Sequence, residues 1–313
     1  MKISFLMAAH NEEKIIKKTL ENFRKIFSYD KNTEFLIGLD GCIDKTEGII
    51  KEYKFVKYYN FKGRNGKPAI INNLIKKAKG DVIIINDADW IFNVESKSKW
   101  EELKNEFKDE KLGGIAESYP IEYIPNKINK IKSLGHLGSL WGNYFWMNFQ
   151  KKYYIYKKNN KLYAKFSRNS FPFLVNIFRK KLYNKNITLG DDFERTIDIL
   201  KKRYKILVKK DESFPRMIAA YDTTNLKGIT KQKERTALAR EQVFKKYGIN
   251  INLFNFYIPL MIYSLRNLNK INNFKGRFAF FIWLMTFCIG TIKNKLRIKK
   301  KSTKEGWLMR AKR

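Results

Sequence analysis

The sequence predicts an α/β fold in which a mainly parallel sheet is flanked by helices and followed by a basic helical C-terminal region. Strand and helix patterns alternate at short spacing over residues 1–125, which is typical of βαβ units. The apolar run at residues 82–85 is the most strand-like segment, and a polar cluster follows it. Two uncharged stretches near the end of the chain predict apolar helices after this α/β unit.

Hydrophobic periodicity predicts each element in turn. Ile3–Ala9 is a nearly continuous apolar run, the pattern of a strand buried on both faces. The segments that follow alternate between short apolar runs and apolar residues at helical spacing. Strands are predicted at 34–39, 55–59, 81–86, 113–118 and 205–209, and helices at 12–27, 45–53, 68–79, 100–107, 196–205 and 231–246.

The positive charge of the chain is concentrated in its second part. Residues 1–125 contain 22 Lys/Arg and 20 Asp/Glu, whereas residues 126–313 contain 43 Lys/Arg and 10 Asp/Glu, which gives net charges of +2 and +33. A general bias toward lysine would not remove the acidic residues from one part only. The asymmetry predicts a polyanionic partner, such as an anionic lipid, a phosphorylated substrate or a nucleic acid.

The two uncharged stretches are 247–265 and 278–292. A helix of the second length reaches about 22 Å, which is shorter than a hydrocarbon core of about 30 Å. Basic residues flank both stretches, a pattern that favours helices lying in a membrane interface or entering one leaflet. A helix in the core of a bundle and a hairpin of two short spans are the alternatives. Because Met1 leads directly into a strand, no signal peptide is predicted, and the folded part is expected in the cytosol.

Asp87 and Asp89 follow the strand predicted at 81–86. Two carboxylates separated by one residue at the carboxyl end of a strand suit a hard divalent cation such as Mg²⁺ or Mn²⁺. Such an ion takes its remaining ligands from water and substrate phosphate and neutralises charge on a diphosphate leaving group. A polar loop without a metal produces the same D-x-D pattern, so its context decides the interpretation.

Three further polar clusters lie upstream, at the carboxyl ends of predicted strands or the starts of predicted helices. The first contains Asn11 and Glu12, the second begins at Asp40, and the third contains Gly66 and Lys67. The free N–H groups at the start of a helix favour anions, so Gly66 and Lys67 predict a phosphate site. A carboxylate such as Asp40 can accept a hydrogen bond from the N3–H of a pyrimidine base.

This series resembles family 2 glycosyltransferases, whose fold is a GT-A-like mixed, mainly parallel sheet flanked by helices. The matching motifs are N-E-E at 11–13, D-G-x-x-D-x-T at 40–46, G-K-x-x-x-x-N at 66–72 and D-x-D at 87–89. The resemblance covers residues 1–120 closely and 185–245 more loosely. It implies a donor site formed by Asn11, Glu12, Asp40, Lys67 and Asp87, with Asp87 and Asp89 as ligands of Mg²⁺ or Mn²⁺.

Two matches lie in the basic part of the chain. The G-D-D run at 190–192 resembles the G-E-D segment of the family, which makes Asp192 the expected catalytic base and Asp191 a candidate acceptor or diphosphate contact. The basic surroundings predict lowered pKa values for both aspartates unless burial opposes the effect. Gln232 and Arg235 resemble part of a Q-x-x-R-W motif and are further candidates for these contacts, although Thr236 replaces the Trp and argues against a polymerising activity.

The prediction is therefore an inverting, metal-dependent glycosyltransferase that uses a UDP- or GDP-linked sugar and a hydroxyl acceptor on a glycan or lipid-linked glycan. Residues 1–245 form its catalytic domain, with a donor half at 1–125 and an acceptor half at 126–245, and 246–313 form a membrane-associated region. The expected location is the cytoplasmic face of the cell membrane, on an anionic membrane surface.

Three alternatives remain beside this prediction. Within the family, the alternative is a polyprenyl-phosphate glycosyltransferase. A nucleic-acid-binding protein is disfavoured, because the basic part carries two long apolar stretches and no recognisable nucleic-acid module, so no nucleic acid is expected as a partner. A sugar nucleotidyltransferase would need a glycine-rich loop after the first strand, and residues 8–12 lack one.

Overall fold

The computed structural model describes residues 1–116, 133–166, 174–185, 188–209, 213–219 and 226–296. Within these residues, nine strands form one mixed sheet in the order β3-β2-β1-β4-β9-β6-β10-β8-β7, and β5 and β11 form a separate pair. The strands are β1 (Ile3–Ala9), β2 (Glu34–Asp40), β3 (Val56–Phe61), β4 (Val82–Ile85), β5 (Trp90–Asn93), β6 (Leu112–Ala116), β7 (Ile155–Lys158), β8 (Lys161–Ala164), β9 (Val175–Arg179), β10 (Lys205–Val208) and β11 (Arg216–Ala219).

The helices cover both faces of the sheet and continue beyond it. They are α1 (Ile16–Tyr29), α2 (Thr46–Lys51), α3 (Lys67–Lys77), α4 (Lys97–Glu106), α5 (Leu134–Tyr154), α6 (Asp191–Lys201), α7 (Leu226–Tyr247), α8 (Ile258–Arg266) and α9 (Phe274–Leu296).

The sheet changes character at β9. The neighbours β3, β2, β1 and β4 are parallel, which is the arrangement predicted from the alternating strand and helix patterns. β9 is antiparallel to both β4 and β6. The sequence analysis did not predict β5, β7, β8, β9 or β11. These strands are as short as β4, but unlike β4 none of them is a continuous run of branched apolar residues, and four or five residues are too few to establish a period of two.

Several predicted helices begin or end at other residues in the structure, and the backbone conformation explains two of these differences. The helix predicted from residue 12 begins at Ile16, because Asn11 has a φ of +54° and residues 12–15 form a turn in which the Glu12 carbonyl accepts from Ile15 N–H at 2.9 Å. The helix predicted at 196–205 instead covers Asp191–Lys201. It ends there because Arg203 has a φ of +62°, which leads the chain into β10.

The core lies on both faces of the parallel strands. On one face the Phe5 ring contacts four aromatic rings at centroid distances of 5.1–6.1 Å, those of Phe23, Phe35, Phe92 and Trp100. The next residue, Leu6, packs on the other face against α3 residues such as Ile70. Because neighbouring residues of β1 are both fully buried, the continuous apolar pattern predicted this strand correctly.

The C-terminal helices form a layer on α5. A Cβ on Gly138 of α5 would lie 2.3 Å from the Ala279 carbonyl oxygen, and one on Gly142 would lie 2.3 Å from the Trp283 ring, so α5 and α9 are in close contact. The uncharged stretch at 278–292 is therefore the middle of a 23-residue helix. The stretch at 247–265 is not one helix, because a π-helical turn at Leu253–Tyr257 precedes α8. Residues 297–313 of the predicted membrane region lie outside the described residues.

Candidate active site

The polar clusters of the first half meet at one edge of the sheet. β1, β2 and β4 are parallel neighbours, so their carboxyl ends lie at the same edge. Asn11 follows β1, Asp40 is the last residue of β2, and Asp87 follows β4. The start of α3 lies at the same edge, because the Gly66 N–H donates to Asp40 and the Lys67 ammonium group pairs with Asp87. This is the edge at which open α/β sheets bind their ligands.

Asp40 holds the loop that leads into α3. Its Oδ1 accepts the Asn65 N–H at 2.6 Å and its Oδ2 accepts the Gly66 N–H at 2.9 Å, and the residue is buried. Arg64 Nε lies 3.8 Å from Oδ2. Gly66 has a φ of +87°, a backbone conformation that L side chains rarely adopt. Asp40 therefore positions the N-terminus of α3, a role the sequence analysis did not identify.

An open pocket of about 380 Å³ lies between the turns that follow β1 and β2, lined by residues 11–15, Ile43 and Asp44. Asn11 Oδ1 accepts the Ile43 N–H at 2.9 Å, and the Glu12 N–H donates to Thr46 Oγ1 at 2.8 Å. These bonds connect the N-E-E and D-G-x-x-D-x-T motifs directly. Small-molecule pockets have volumes of about 300–1,000 Å³, so the pocket suits part of a nucleotide.

The D-x-D loop is a tight turn held by Asn86. The Asn86 amide donates to the carbonyl oxygens of Asp87 at 2.7 Å and Trp90 at 2.9 Å, and the Trp90 N–H donates to the Asp87 carbonyl at 3.0 Å. The Asp87 side chain is 41% exposed, whereas Asp89 is buried. Asn86 is fully buried and was missed by the sequence analysis, since its position after an apolar strand signals only a turn.

Lys67 connects the first turn of α3 to the D-x-D loop. Its Nζ lies 2.7 Å from Asp87 Oδ1. Burial opposes the lysine charge, but the carboxylates of Asp87 and Asp191 outweigh burial and raise the pKa of Lys67. The lysine is therefore a cation at the edge of the sheet, where the sequence analysis expected a diphosphate.

Asp191 and Asp192 open α6, and their environments differ. Asp191 is buried and its Oδ2 accepts from Arg195 at 2.7 Å. Burial alone would raise the pKa of Asp191, but the charges of Lys67 and Arg195 lower it. The pKa of Asp192 is instead raised to about 6, first by burial and then by the neighbouring Asp191 charge. The basic surroundings lower the pKa of Asp191 as expected, whereas Asp192 is the exception that the sequence analysis allowed for, because burial outweighs the basic surroundings there.

Arg195 is the residue that distinguishes the two aspartates, and the sequence analysis did not select it. It is 2% exposed, and its guanidinium also donates to the Val175 carbonyl at 2.9 Å and to Asn176 Oδ1 at 2.7 Å. A buried guanidinium needs such partners for its donors. Its spacing of four residues from Asp191 on a helix was the available signal.

Gln232 and Arg235 lie on α7, whose other end contacts the segment that leads into the G-D-D run. Gln242 Oε1 accepts the Leu189 N–H at 3.0 Å, just before the G-D-D run. Gln232 is ten residues earlier, about 15 Å along the helix axis. Its side chain is exposed and Arg235 is half-buried. The structure therefore brings Lys67, Asp87, Asp191 and Asp192 within electrostatic reach of one another. Gln232 and Arg235 lie nearer the other end of α7 from the residue that contacts the G-D-D segment.

Two carboxylates at the edge of the sheet, those of Asp87 and Asp89, are the candidate ligands of a divalent cation. No group of three or more His, Cys, Asp or Glu side chains suited to a metal occurs in the described part of the chain. Asp87 and Asp89 alone fit Mg²⁺ or Mn²⁺ only if other ligands come from water and substrate phosphate, which is a common arrangement for Mg²⁺. The exposed Asp87 carboxylate is the accessible member of this pair.

Comparisons with known proteins agree with this geometry. The chain is 26% identical over 311 residues to dolichyl N-acetyl-alpha-D-glucosaminyl phosphate 3-beta-D-2,3-diacetamido-2,3-dideoxy-beta-D-glucuronosyltransferase of Methanococcus voltae, covering 93% of this chain and 87% of that protein. It is 34% identical over 95 residues to probable glycosyltransferase YdaM of Bacillus subtilis (strain 168), covering 28% of this chain and 23% of that protein. The chain thus spans less than a quarter of the length of YdaM.

A solved structure and a family model also match the chain. The solved structure of mannosyltransferase PcManGT from Pyrobaculum calidifontis in complex with GDP-Man and Mn²⁺ has a TM-score of 0.59 at 13% identity, covering 95% of this chain and 88% of that chain. This likeness shows the fold, which is of the GT-A type. The sequence model of glycosyl transferase family 2 matches residues 4–180, more than half of the chain. The chain therefore belongs to glycosyl transferase family 2 and is a glycosyltransferase.

Proposed function

We propose that this enzyme transfers a sugar from a UDP- or GDP-linked donor to a hydroxyl group of a glycan or lipid-linked glycan, by a single displacement that inverts the anomeric carbon. The observation that carries the proposal is the position of Asp192. Its carboxyl group has a pKa of about 6 and lies at the start of α6, within electrostatic reach of Lys67. A base with this pKa is ionised at about pH 7 and still accepts a proton.

The donor would bind along the edge formed by the ends of β1, β2 and β4. The pocket beside Asn11 and Glu12 suits the nucleoside, and Asp40 fixes the loop that precedes α3. Lys67 lies at the start of α3, where its ammonium group and the free N–H groups of the helix favour the donor diphosphate. Asp191 would act indirectly, since Arg195 already binds its carboxylate.

Asp87 and Asp89 would hold Mg²⁺ or Mn²⁺ together with the donor. When bound there, the ion supplies positive charge that stabilises the departing nucleoside diphosphate. The residues of the chain do the remaining work: Lys67 orients the diphosphate, and Asp192 removes the proton from the acceptor hydroxyl as the new glycosidic bond forms. Gln232 and Arg235 remain candidates for contacts with the acceptor or diphosphate.

The need for a base bears on the nature of the acceptor. A polyprenyl phosphate is already ionised at about pH 7, whereas a sugar hydroxyl must lose its proton during transfer. The name of the Methanococcus voltae relative describes a dolichyl-phosphate-linked sugar as acceptor. Both points support a hydroxyl on a lipid-carried sugar. We place the reaction at the cytoplasmic face of an anionic membrane, because the net charge of +33 over residues 126–313 favours such a surface. We assign 1–245 to the catalytic domain, with its donor half at 1–125 and acceptor half at 126–245, and 246–313 to membrane association.

A thermal-shift panel of nucleotide sugars with and without Mn²⁺ tests the donor and the metal together. A donor that binds the folded state raises the melting temperature in proportion to the logarithm of its concentration over its Kd. We expect one UDP- or GDP-linked sugar to stabilise the protein, and to do so more strongly with Mn²⁺. If no donor produces a metal-dependent shift, the proposed donor site is wrong.

The acceptor is tested with the Asp192→Asn variant. With a sugar hydroxyl as acceptor, loss of the base should lower kcat by about 10²–10⁴-fold while the donor-induced thermal shift remains. Wild type and variant should be compared on lipid-linked sugars and on polyprenyl phosphates. Efficient transfer to a polyprenyl phosphate by the variant would instead support the polyprenyl-phosphate alternative.

A further inference from the structure

Helix α9 carries apolar residues on two opposite faces. One face is buried in the protein and consists of Gly276, Ala279, Phe280, Trp283, Thr286, Gly290 and Asn294. The other face is exposed over the full length of the helix. It consists of Phe274, Phe278, Phe281, Met285, Ile289, Ile292 and Leu296, with exposed fractions of 40–83%. The spacing of three or four residues places these seven side chains on one continuous stripe, which we call the outer stripe.

A second group of exposed apolar residues lies on α8 and on the π-helical turn before it. Met261, Ile262 and Leu265 of α8 are each more than 40% exposed, and Leu253 and Phe254 precede them on the π-helical turn. The π-helical turn contacts α9, since the rings of Tyr257 and Phe287 lie 5.8 Å apart. Exposed apolar surface of this extent marks a site of interaction with another body.

The charged residues around the outer stripe indicate what kind of partner it contacts. Residues 248–296 contain six Lys or Arg and neither Asp nor Glu. Lys275 and Arg277 are exposed near the start of α9, and Lys293 and Lys295 are exposed near its end. An anionic bilayer complements this arrangement of apolar residues between cations. A second copy of the same surface would bring like charges together.

The contacts of α9 with α7 oppose a transmembrane orientation. By length and composition, α9 is the one helix within the described ranges that could cross a membrane. However, Asn294 donates to Glu241 of α7 at 2.7 Å, and Lys233 of α7 lies over the Trp283 ring at 4.6 Å. A bilayer surrounding α9 would therefore also surround the charged residues of α7, and charged groups at membrane depth are strongly disfavoured.

We propose that α9 lies parallel to the membrane plane, with its outer stripe inserted among the headgroups and upper acyl chains of an anionic bilayer. The buried face then remains on the protein, and the cations at both ends contact lipid phosphates. This proposal gives the location stated under the proposed function a definite surface and orientation, and in that respect it rests on the proposed function.

Helix α7 connects this surface to the catalytic loop. Near its start, Lys233 and Glu234 contact Gly290 of α9. Near its end, Lys246 binds Glu194 of α6 at 2.8 Å, and a Cβ on Gly190 would lie 2.8 Å from Val243. One helix therefore contacts both the membrane-facing helix and the segment that carries Asp192. Docking of α9 consequently sets the orientation of Asp192 relative to the lipid surface.

Fluorescence depth measurements distinguish an in-plane helix from a spanning one. The full chain with Cys42→Ser and Cys288→Ser would carry one labelled cysteine, placed in turn at Phe274, Met285 or Leu296. Lipid-attached quenchers at shallow and deep positions then report the depth of each label in phosphatidylglycerol–phosphatidylcholine vesicles. We expect similar, shallow depths at all three positions. A deep Met285 label between shallow ends, or absence of quenching at every position, would overturn the proposal.

Vesicle co-sedimentation tests the surface itself. The triple variant Phe278→Ser, Met285→Ser and Ile292→Ser should bind anionic vesicles about tenfold or more weakly, because three inserted side chains are lost. Since these residues are exposed, the melting temperature should change little. The control variant Tyr156→Ser, which alters an exposed aromatic residue on β7, should bind like wild type. Equal binding of the triple variant and wild type would contradict the proposal.

Two further variants separate lipid binding from catalysis. Lys293→Glu with Lys295→Glu should remove most of the preference for anionic over pure phosphatidylcholine vesicles. Asp192→Asn should bind vesicles as wild type does, because membrane binding needs neither donor nor base. If no nucleotide sugar binds, the vesicle experiments still test the membrane proposal. If the enzyme is active but does not bind vesicles, only the membrane proposal is wrong. A preference unchanged by the charge reversals would also count against it.

Discussion

Lys67 Nζ lies 2.7 Å from Asp87 Oδ1, so the lysine of the G-K-x-x-x-x-N motif is paired with the first carboxylate of the D-x-D motif. The two residues are twenty positions apart in the sequence. Helix α3, which begins at Lys67, packs on β1, and β4, which leads to Asp87, pairs with β1, so the two segments meet. A divalent cation bound by Asp87 would compete with the Lys67 ammonium group for the same carboxylate. We therefore expect the binding of a metal at Asp87 to be coupled to the release of Lys67 toward the donor diphosphate.

The variant Lys67→Met tests this coupling. Without the competing ammonium group, Asp87 should bind Mn²⁺ alone several-fold more tightly, since a like charge is removed from the site. The affinity for the nucleotide sugar should fall by about tenfold or more, because the diphosphate loses a charged partner. Titration calorimetry measures both affinities. Lys17→Met, at an exposed position on α1, is the control, and a parallel loss of both affinities would contradict the coupling.

The pH dependence of activity should follow Asp192. A base works only when ionised, so activity should be present at high pH and lost as the pH falls through about 6. We expect the acid limb of kcat/KM against a hydroxyl acceptor to have an apparent pKa near 6. A pH series with saturating metal measures it. An acid limb near the ordinary aspartate pKa of about 4 would show that another group titrates.

The raised pKa of Asp192 also predicts that its carboxylate destabilises the folded protein above about pH 6. The folded-state pKa of Asp192 is raised to about 6, above the ordinary aspartate value of about 3.9, so the folded state binds the proton more tightly than the unfolded state does. Its contribution to stability is therefore favourable below the unfolded pKa and lost as the pH rises through 6. Asp192→Asn should raise the free energy of unfolding at about pH 7.5, by at most about 3 kcal/mol. Denaturant melts at several pH values should show the gain shrinking toward about pH 4.

Replacing Arg195 should damage both folding and the pH profile. Arg195→Met leaves the buried Asp191 carboxylate without its 2.7 Å partner, which should cost about 3–5 kcal/mol of unfolding free energy. Because the Arg195 charge also lowers the pKa of Asp192, its loss should move the acid limb of activity to higher pH. The double variant Asp191→Leu with Arg195→Met should recover much of the stability in denaturant melts. No recovery would mean that other contacts of Arg195 dominate.

The close contact of α5 with α9 predicts a strict requirement for glycine. Gly142→Ala places a Cβ 2.3 Å from the buried Trp283 ring, so the two helices must separate. We expect a loss of about 1–3 kcal/mol in unfolding free energy, despite the better helix propensity of alanine. Gly48→Ala is the matched control, because nothing lies within 4 Å of its Cβ on α2. The control should be neutral or slightly stabilising, and equal effects at both positions would contradict the packing argument.

Much of the sheet edge at which we propose that the donor binds could be predicted from the sequence, because the patterns that specify it are local. A continuous apolar run specified β1, and the polar residues at the end of each strand specified the edge at which they meet. The role of Asp40 was less accessible, because its hydrogen bonds to the N–H groups of Asn65 and Gly66 depend on a loop 25 residues away. Arg195 was missed for a similar reason, since its burial depends on β9, which was not predicted.

By itself, the sequence determined the fold class, the order of the motifs and the unequal distribution of charge, since these follow from hydrophobic period and composition. Only the tertiary structure decided the chemistry of the two aspartates. Asp191 and Asp192 are adjacent in the chain, yet the partners Arg195 and Lys67 lower the pKa of one, whereas burial raises that of the other. The structure also decided which face of α9 is covered. Burial and long-range contact fix pKa values and free surfaces, and neither is a local property of the chain.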